Sequence, residues 1–552
     1  MKQEIIDYFI ENGFLISPDI IDNIKDANLP KLFINSINNN EDSWKKITVV
    51  NKDLFLIIPK IRNKIEINWN EFENSRVMIE HGRNDKSYNL FLDILNYNLE
   101  DKKKKELDNL LENIKKEETI DIESELRNDE NYSSVIILKD YDEDSKKRGV
   151  NDFVEHFKLR YNLIKELLRG RQDMQNIISI NRILAKKEKD PVSFIGMVYA
   201  KKLTKNKNIL LTLEDPTGSI DVLVNKEGKA IENARNVVED EILAVNGVNG
   251  GRVVFATQII FPDVPLTKEL KKCEDESYAV FVSDLHFGSK LFLKDDFMKF
   301  LDWINCKSGN FLQKRTSSKV KYLFIVGDVV DGIGVYPGQE NGLVQRDVIQ
   351  QYNTCAEYLG MVRKDIKIII SPGQHDSIRT AEPQPRLDKE FAYALHAMSN
   401  VILVSNPCLV NIHSKKDFEG FNVMMYHGAS YHHYIDEIDS LRQSNAKDNP
   451  TQVIKFLLQK RHLAPTHSST VYVPTIDTDP LFIDKLPDVI VSGEMHRSDV
   501  ANYNNITLIN CSCFQSKTPF EEKVGNNPSP SRVPVLNLKT REVKIINFSS
   551  EE

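Results

Sequence analysis

The chain has 552 residues, too many for one ordinary core, so two to four domains are expected. Its 73 basic and 81 acidic side chains leave a formal charge of -8, which argues against a protein that coats nucleic acid by bulk charge but leaves room for a local basic surface. The N-terminal stretch MKQEIIDYFIENGF lacks the unbroken apolar segment of a secretory leader, and no run reaches the ~18 apolar residues of a membrane span, so a cytoplasmic protein is expected. Six scattered cysteines without a CxxC pair point to reduced thiols rather than a structural zinc site.

Residues 1–70 carry helical spacing (IIDYFIENGF, PDIIDNIKDA) and predict a small helical N-terminal domain. Residues 71–150 predict a charged, partly disordered linker, because Glu100 to Asn131 is crowded with charge and has no aromatic residue. Helical periodicity returns over 151–186, read as a connector. From 187 to 265 the period shortens. SFIGMVYAKKL, NILLTLED, SIDVLV, EILAVNG and RVVFATQII read as five short strands, with a turn at Asp215-Pro216-Thr217-Gly218 and one helical insert. That pattern predicts an OB-type barrel, with Phe194, Tyr199 and Phe255 equally suited to stacking on bases or to core packing. Over 277–548, apolar strands alternate with helical stretches and predict a layered α/β domain. The expected fold class is therefore a multidomain α+β chain.

The chemistry falls at strand ends, where ligands sit in α/β sheets. The run from Tyr278 ends in Asp284-Leu285-His286, and the next in Gly327-Asp328, followed by Asp331. The third ends in Gly373-Gln374-His375-Asp376, the fourth in His427-Gly428, and the fifth in Gly493-Glu494-Met495-His496. Ten of the twelve histidines lie between 286 and 496. A lone DxH or GD is a common accident, whereas five such elements in order are not. Two divalent ions ~3.5–4 Å apart can hold a phosphate between them and activate water, and a bridging carboxylate with outer imidazoles and carboxylates suits such a pair. His432, His433, His462 and His467 have no comparable placement and are read as supporting or surface residues.

At this point the chain resembles the calcineurin-like metallophosphoesterases, whose motifs run DxH, GDxxD, GNHD, His-Gly and GHxH. More narrowly, VNDFVEHFKLRYNLIKELL, LEDPTGSIDVLV, VSDLHFGS, GDVVDGIGVYPGQE, RHLAPTH and NPSPSRVPV resemble the small subunit of archaeal family D DNA polymerases. The resemblance covers about 150–545. It implies a 3′–5′ exonuclease that proofreads single-stranded DNA at primer 3′ ends for a separate large polymerising subunit, in the cytoplasm with the nucleoid. It implies that Asp284, His286, Asp328 and His496 hold one metal. Asp328 would bridge to a second metal held by His427, Gln374 and Glu494. His375 would face the phosphate, Asp376 would orient His375, and Asp331 would support the ligands from beneath. Two positions depart from the pattern: Gln374 stands for Asn and Glu494 for His. Both fall on the second metal, make it richer in oxygen, and shift the expected ions from Fe or Zn towards Mn or Mg. A scaffold subunit without turnover and a stand-alone metallophosphatase are the rival readings.

Overall fold

The computed structural model describes residues 2–12, 14–16, 31, 33–34, 49–50, 55, 134–143 and 146–550. The chain divides into two units, 1–128 with 309–315, and 129–308 with 316–552. In the first, a helix spans Lys2–Glu11, and β1 (Leu15–Ile16) pairs in parallel with β2 (Val49–Val50). The rings of Phe9, Phe33 and Phe55 pack at centroid separations of 5.5 to 6.1 Å. The rest of the expected helical unit over 1–70, and the expected linker before residue 134, lie outside the described residues.

The second unit begins inside the stretch read as linker. There β3 (Val135–Lys139) pairs antiparallel with a later strand, so this part of 71–150 is an edge strand. The apolar run VIILK is long enough to join a ladder once the charged stretch has ended. A helix follows at Val150–Arg169, the Asp152 carboxylate accepting the Gly149 N–H at 2.6 Å. Its buried stripe is His156, Arg160, Tyr161, Ile164 and Leu168. The polar members are buried because they are bonded. Arg160 Nε donates to Asp479 Oδ2 at 2.9 Å and its Nη1 to the Pro465 carbonyl at 3.2 Å, while His462 Nε2 meets the same Asp479 oxygen at 3.0 Å. His462 is thus neither a surface residue nor close support for the strand-end groups, but part of a buried network that pins this helix to the 461–479 region.

Next comes a closed barrel. Its strands are β4 (Pro191–Leu203), β5 (Ile209–Asp215), β6 (Gly218–Val224), β7 (Ile242–Asn249) and β8 (Val253–Ile260), in the order β4-β5-β6-β8-β7. The strands are antiparallel except for the parallel pair β6 and β8. Burial alternates along β5 and β6, which puts Leu211, Leu213 and Val222 inside with Phe194 and Val245. Phe194 is therefore core, whereas Tyr199 is 68% exposed and Phe255 about half exposed. Lys460 ties the barrel to the rest. Its buried ammonium lies 2.8 Å from Glu241 and 3.3 Å from the Phe261 ring centroid.

Two six-stranded sheets complete the unit. The first orders β12-β11-β10-β9-β18-β19, where β9 is Tyr278–Val282, β10 Val320–Val326, β11 Lys367–Ser371, β12 Val401–Leu403, β18 Arg532–Asn537 and β19 Val543–Asn547. The second orders β16-β17-β15-β14-β13-β3, where β13 is Cys408–Ile412, β14 Phe421–Met425, β15 Val489–Ser492, β16 Asp499–Tyr503 and β17 Ile506–Asn510. One core joins the inner faces of both sheets, with Phe281, Phe324 and Ile369 from the first meeting Val410, Val423 and Val491 from the second. Helices Lys294–Ile304 and Val348–Leu359 cover the outer face of the first sheet, and Tyr431–Glu437 and Thr451–Lys460 that of the second. Strands β9, β10 and β14 are buried along their whole length, which is why they read as unbroken apolar runs.

The Asp479 network predicts acid lability. Burial, then the charge of Arg160, pushes the His462 imidazole down to about 4, against the pull of Asp479. Between that value and the ordinary ~6.5, the unfolded chain takes up a proton that the folded chain refuses, so stability falls as pH drops through this window. We expect His462→Gln to flatten the slope of urea-unfolding free energy between about pH 4 and 6.5, by up to roughly 3 kcal/mol over the window. Asp479→Ala strands the buried Arg160 charge and should cost about 3–5 kcal/mol at neutral pH.

Candidate metal centre

The five strand ends converge where the two sheets share their core. Asp284 and His286 follow β9, Asp328 follows β10, His375 and Asp376 follow β11, His427 follows β14, and Glu494 and His496 follow β15. The backbone there is forced. Asp284, His286, Asp328, Glu494 and His496 all have positive φ, between 47° and 65°. Left-handed conformations of non-glycine residues cost of order 1–3 kcal/mol each and persist only where the surroundings dictate them.

Glycines make the room. A Cβ on Gly327 would lie 2.1 Å from His427 Nδ1, and one on Gly373 would lie 2.2 Å from Asp328 Oδ1 and 2.7 Å from His427 Nε2. Backbone and side chains are therefore interlocked.

The imidazoles share one arrangement. His286 Nδ1 is tied to Asp331 Oδ1 at 3.1 Å, His427 Nδ1 to the Val326 carbonyl at 2.9 Å, and His496 Nδ1 to Glu521 Oε1 at 2.9 Å. Each presents Nε2 to the centre. His496 Nε2 lies 3.3 Å from Asp284 Oδ1 and 3.3 Å from His286 Nε2, and His427 Nε2 lies 3.3 Å from Asp328 Oδ2. Ligand atoms gather into three groups: Asp284, His286 and His496; Asp284, Asp328 and His427; and His286, Asp331 and His375. Asp284 belongs to two of them. Asp328 also reaches both sides, its Oδ2 standing 4.0 Å from His286 Nε2. Within the centre, three buried atoms make no well-oriented hydrogen bond: Asp284 Oδ1, His427 Nε2 and Gln374 Oε1. Buried polar groups are normally satisfied, and unpartnered ones cost of order 1–3 kcal/mol each.

Charges are strongly coupled. Burial pushes Asp328 up, but His427 and His375 pull it well below the usual carboxylate range. Burial lowers His375, yet Asp328 and Asp331 hold it up at about 9. Burial, then the Asp328 charge, raises Asp376 to about 6. A dication at this point would reverse the sign of the field.

Two roles differ from expectation. Asp376 is bonded away from the His375 ring: it accepts from the N–H groups of Gly373, Val329 and Val330 and from the Tyr352 hydroxyl. A side chain engaged by four donors, three from the loops after β10 and β11 and one from a helix, cannot also steer an imidazole. Asp331 holds His375 instead, through its carbonyl on Nδ1 at 2.9 Å, with its carboxylate 3.5 Å away. Glu494 reaches His427 Nε2 at 3.3 Å and His432 Nε2 at 3.6 Å, so His432 belongs to the rim of the centre. Two contributors were missed by sequence reasoning. Tyr352 lies on a helix and leaves no local signal. Glu521 does leave one, because Thr518-Pro519-Phe520-Glu521 is a capping box, with Thr518 N–H bonded to Glu521 at 2.8 Å.

A separate group, Cys273, Asp275 and His413, already has the Lys415 ammonium on Asp275. Among the described residues the six cysteines are free thiols, and no helix is long and apolar enough to cross a membrane.

Residues 279–500 match the family model for the B-type subunits of DNA polymerases alpha and epsilon. The chain is 39% identical over 401 residues to the DNA polymerase II small subunit of Methanothermobacter thermautotrophicus, covering 72% of this chain and 80% of that one. It is 36% identical to the protein of the same name from Archaeoglobus fulgidus, covering 72% and 78%. With that of Pyrococcus furiosus it shares 34% identity over 72% of this chain, but only 64% of the longer relative. The chain belongs to the archaeal DNA polymerase II small-subunit family. Membership makes it a component of a DNA-directed DNA polymerase and implies a large catalytic subunit as partner.

Gly373→Ala tests the interlock. Gly373 is not left-handed, so the effect is steric. We expect a loss of about 1–3 kcal/mol in urea-unfolding free energy, with secondary structure by circular dichroism unchanged.

Proposed function

We propose that the chain is the 3′–5′ exonuclease of its polymerase, hydrolysing phosphodiester bonds at the 3′ end of single-stranded DNA with two divalent cations. In this reading 277–548 is a calcineurin-like phosphoesterase domain and 187–265 an OB-type barrel beside it. The observation that carries the reading is the shared posture of His286, His427 and His496, with Nδ1 tied and Nε2 turned towards buried aspartates. Imidazoles fixed in this way are how proteins present a nitrogen lone pair to a metal. The unpartnered Asp284 Oδ1 and His427 Nε2 fit the same use.

Asp284, His286, Asp328 and His496 would hold one cation, and Asp328, His427, Gln374 and Glu494 the other. When bound, such a pair polarises a phosphoryl oxygen and makes water nucleophilic near neutral pH. The chain's own residues do the rest. Asp331 holds the His375 ring through Nδ1, so Nε2 is the nitrogen that can meet a phosphoryl or leaving oxygen. That placement suits His375 to stabilise developing negative charge or to deliver a proton to the leaving oxygen. Asp376 fixes the β10 and β11 loops that carry Asp328 and His375. Mn or Mg is the preferred pair because Gln374 and Glu494 add hard oxygen donors.

Gln374 and Glu494 also favour a second reading, a scaffold subunit whose second cation site has weakened. Family membership sets aside a stand-alone phosphatase.

Purified chain, alone and with its large subunit, is expected to degrade single-stranded DNA from the 3′ end with Mn. A protein that binds cation but never cleaves would leave only the scaffold. His375→Ala should lower the rate by ~10²–10⁴-fold while gel filtration still shows assembly with the large subunit. Converting Gln374→Asn together with Glu494→His should change activity by less than about tenfold, roughly 1.4 kcal/mol. A gain of several orders of magnitude would mean that the natural pair is a decayed site.

A further inference from the structure

The loop after Asp331 has a consequence for how the end of a strand is held. Residues 333–338 are exposed, and the segment carries Ile333, Val335 and Tyr336, which are 50%, 39% and 49% exposed. Three apolar side chains at the tip of a loop are exposed for no packing reason. Yet the loop is built rigidly. Gln339, fully buried, donates Nε2 to the Asp331 carbonyl at 2.6 Å and accepts the Val335 N–H at 3.0 Å. Gln351, also fully buried, accepts the Gly332 N–H at 2.9 Å and donates to the Gly332 and Gln345 carbonyls. Gly332 passes so close to the backbone of His375 that a Cβ there would lie 2.2 Å from the His375 carbonyl. Two buried amides thus hold an apolar loop against the residue that faces the phosphate. The Tyr336 ring centroid stands 6.2 Å from that of His375, at 65° to it.

Resting on the proposed nuclease reading, we propose that Tyr336 is the stacking platform for the 3′-terminal nucleobase, flanked by Ile333 and Val335. A base is a flat, largely apolar group one sugar away from its phosphate, and an aromatic face beside the phosphate-facing histidine is where it would lie. Every base has such a face, so the platform accepts any sequence. It favours an unpaired end, because a paired terminal base is held by its partner and by the neighbour it stacks on, and moving it onto the ring costs that pairing and stacking. Tyr336 is therefore a positioning residue that selects frayed or unpaired 3′ ends.

The test compares, in the full chain assembled with its large subunit, cleavage of a single-stranded oligonucleotide ending in a normal nucleotide with one ending in a reduced abasic residue. Wild type is expected to favour the base-bearing end, and Tyr336→Ala to shrink that preference by roughly five- to hundredfold. Tyr336→Trp should keep it. A preference that survives Tyr336→Ala overturns the proposal, as does an equal fall on both substrates. So does weakened assembly with the large subunit at unchanged preference, which would make the loop a protein-docking surface. Should wild type cleave neither substrate, the nuclease reading fails separately and binding still decides. Quenching of a terminal 2-aminopurine by wild type and Tyr336→Trp, but not by Tyr336→Ala, supports the platform. No quenching by wild type sinks it.

Discussion

Asp284 and Asp328 are both almost fully buried and share the His427 imidazole between them, at 3.9 and 3.3 Å. Two carboxylates cannot be placed together in a low-dielectric interior unless positive charge accompanies them. The rest of the centre answers that demand. Four imidazoles surround the pair. Gly327, Gly373 and Gly493 let main chain pass where a Cβ would strike the side chains of His427, Asp328 and Asp284. Five residues accept left-handed backbone to aim their side chains inward. A fold selected only for stability would hold none of these features together, since replacing buried ion pairs by apolar residues is often neutral or better.

The two sheets make this tolerable. The strands that lead into the centre, β9, β10, β14 and β15, are buried along their whole length, and the shared core between the sheets contains Phe281 stacked on Phe324 at 5.1 Å. The strand ends are consequently stiff, and the loops leaving them inherit that stiffness. A second set of bonds then locks the loops to one another. Asp376 joins the β10 and β11 loops, Asp331 joins His286 to His375, and Glu521 reaches His496 from a capped helix. These residues do for the imidazoles and carboxylates of the centre what the core does for the strands.

Much of this was readable in the sequence because it is local. An apolar run that ends in Asp-Leu-His or Gly-Asp carries both its strand and the polar group at its end in about ten residues. What was not readable depends on partners far along the chain. Asp376 looked like the natural orienter of its neighbour His375, yet it is held by donors from 329, 330, 352 and 373, and Asp331 takes the role. His462 looked like a supporting or surface histidine, but it is buried with Arg160 and Asp479 away from the centre, and Arg160 is 319 residues from Asp479. The edge strand Val135–Lys139 was hidden by its neighbourhood, since composition averaged over 71–150 is dominated by charge. Glu521 was the recoverable miss: its capping box, Thr518 to Glu521, is a local signal, although nothing local says that the same carboxylate also reaches His496.

The asymmetry of the centre follows from the same electrostatics. Asp284, His286 and His496 form a compact group with His286 and His496 anchored behind by Asp331 and Glu521. On the other side only His427 is anchored in that way, by a neutral carbonyl. Glu494 brings a further carboxylate close to Asp328; burial works against its charge, and His427 with the partly exposed His432 pulls it below the usual range. A neutral imidazole at 494 would leave His432 without that partner and the second group with one fewer negative charge. Glu494 and His432 therefore act as a unit. They place a carboxylate and a partly exposed imidazole 3.6 Å apart at the rim of the centre, beside the buried His427.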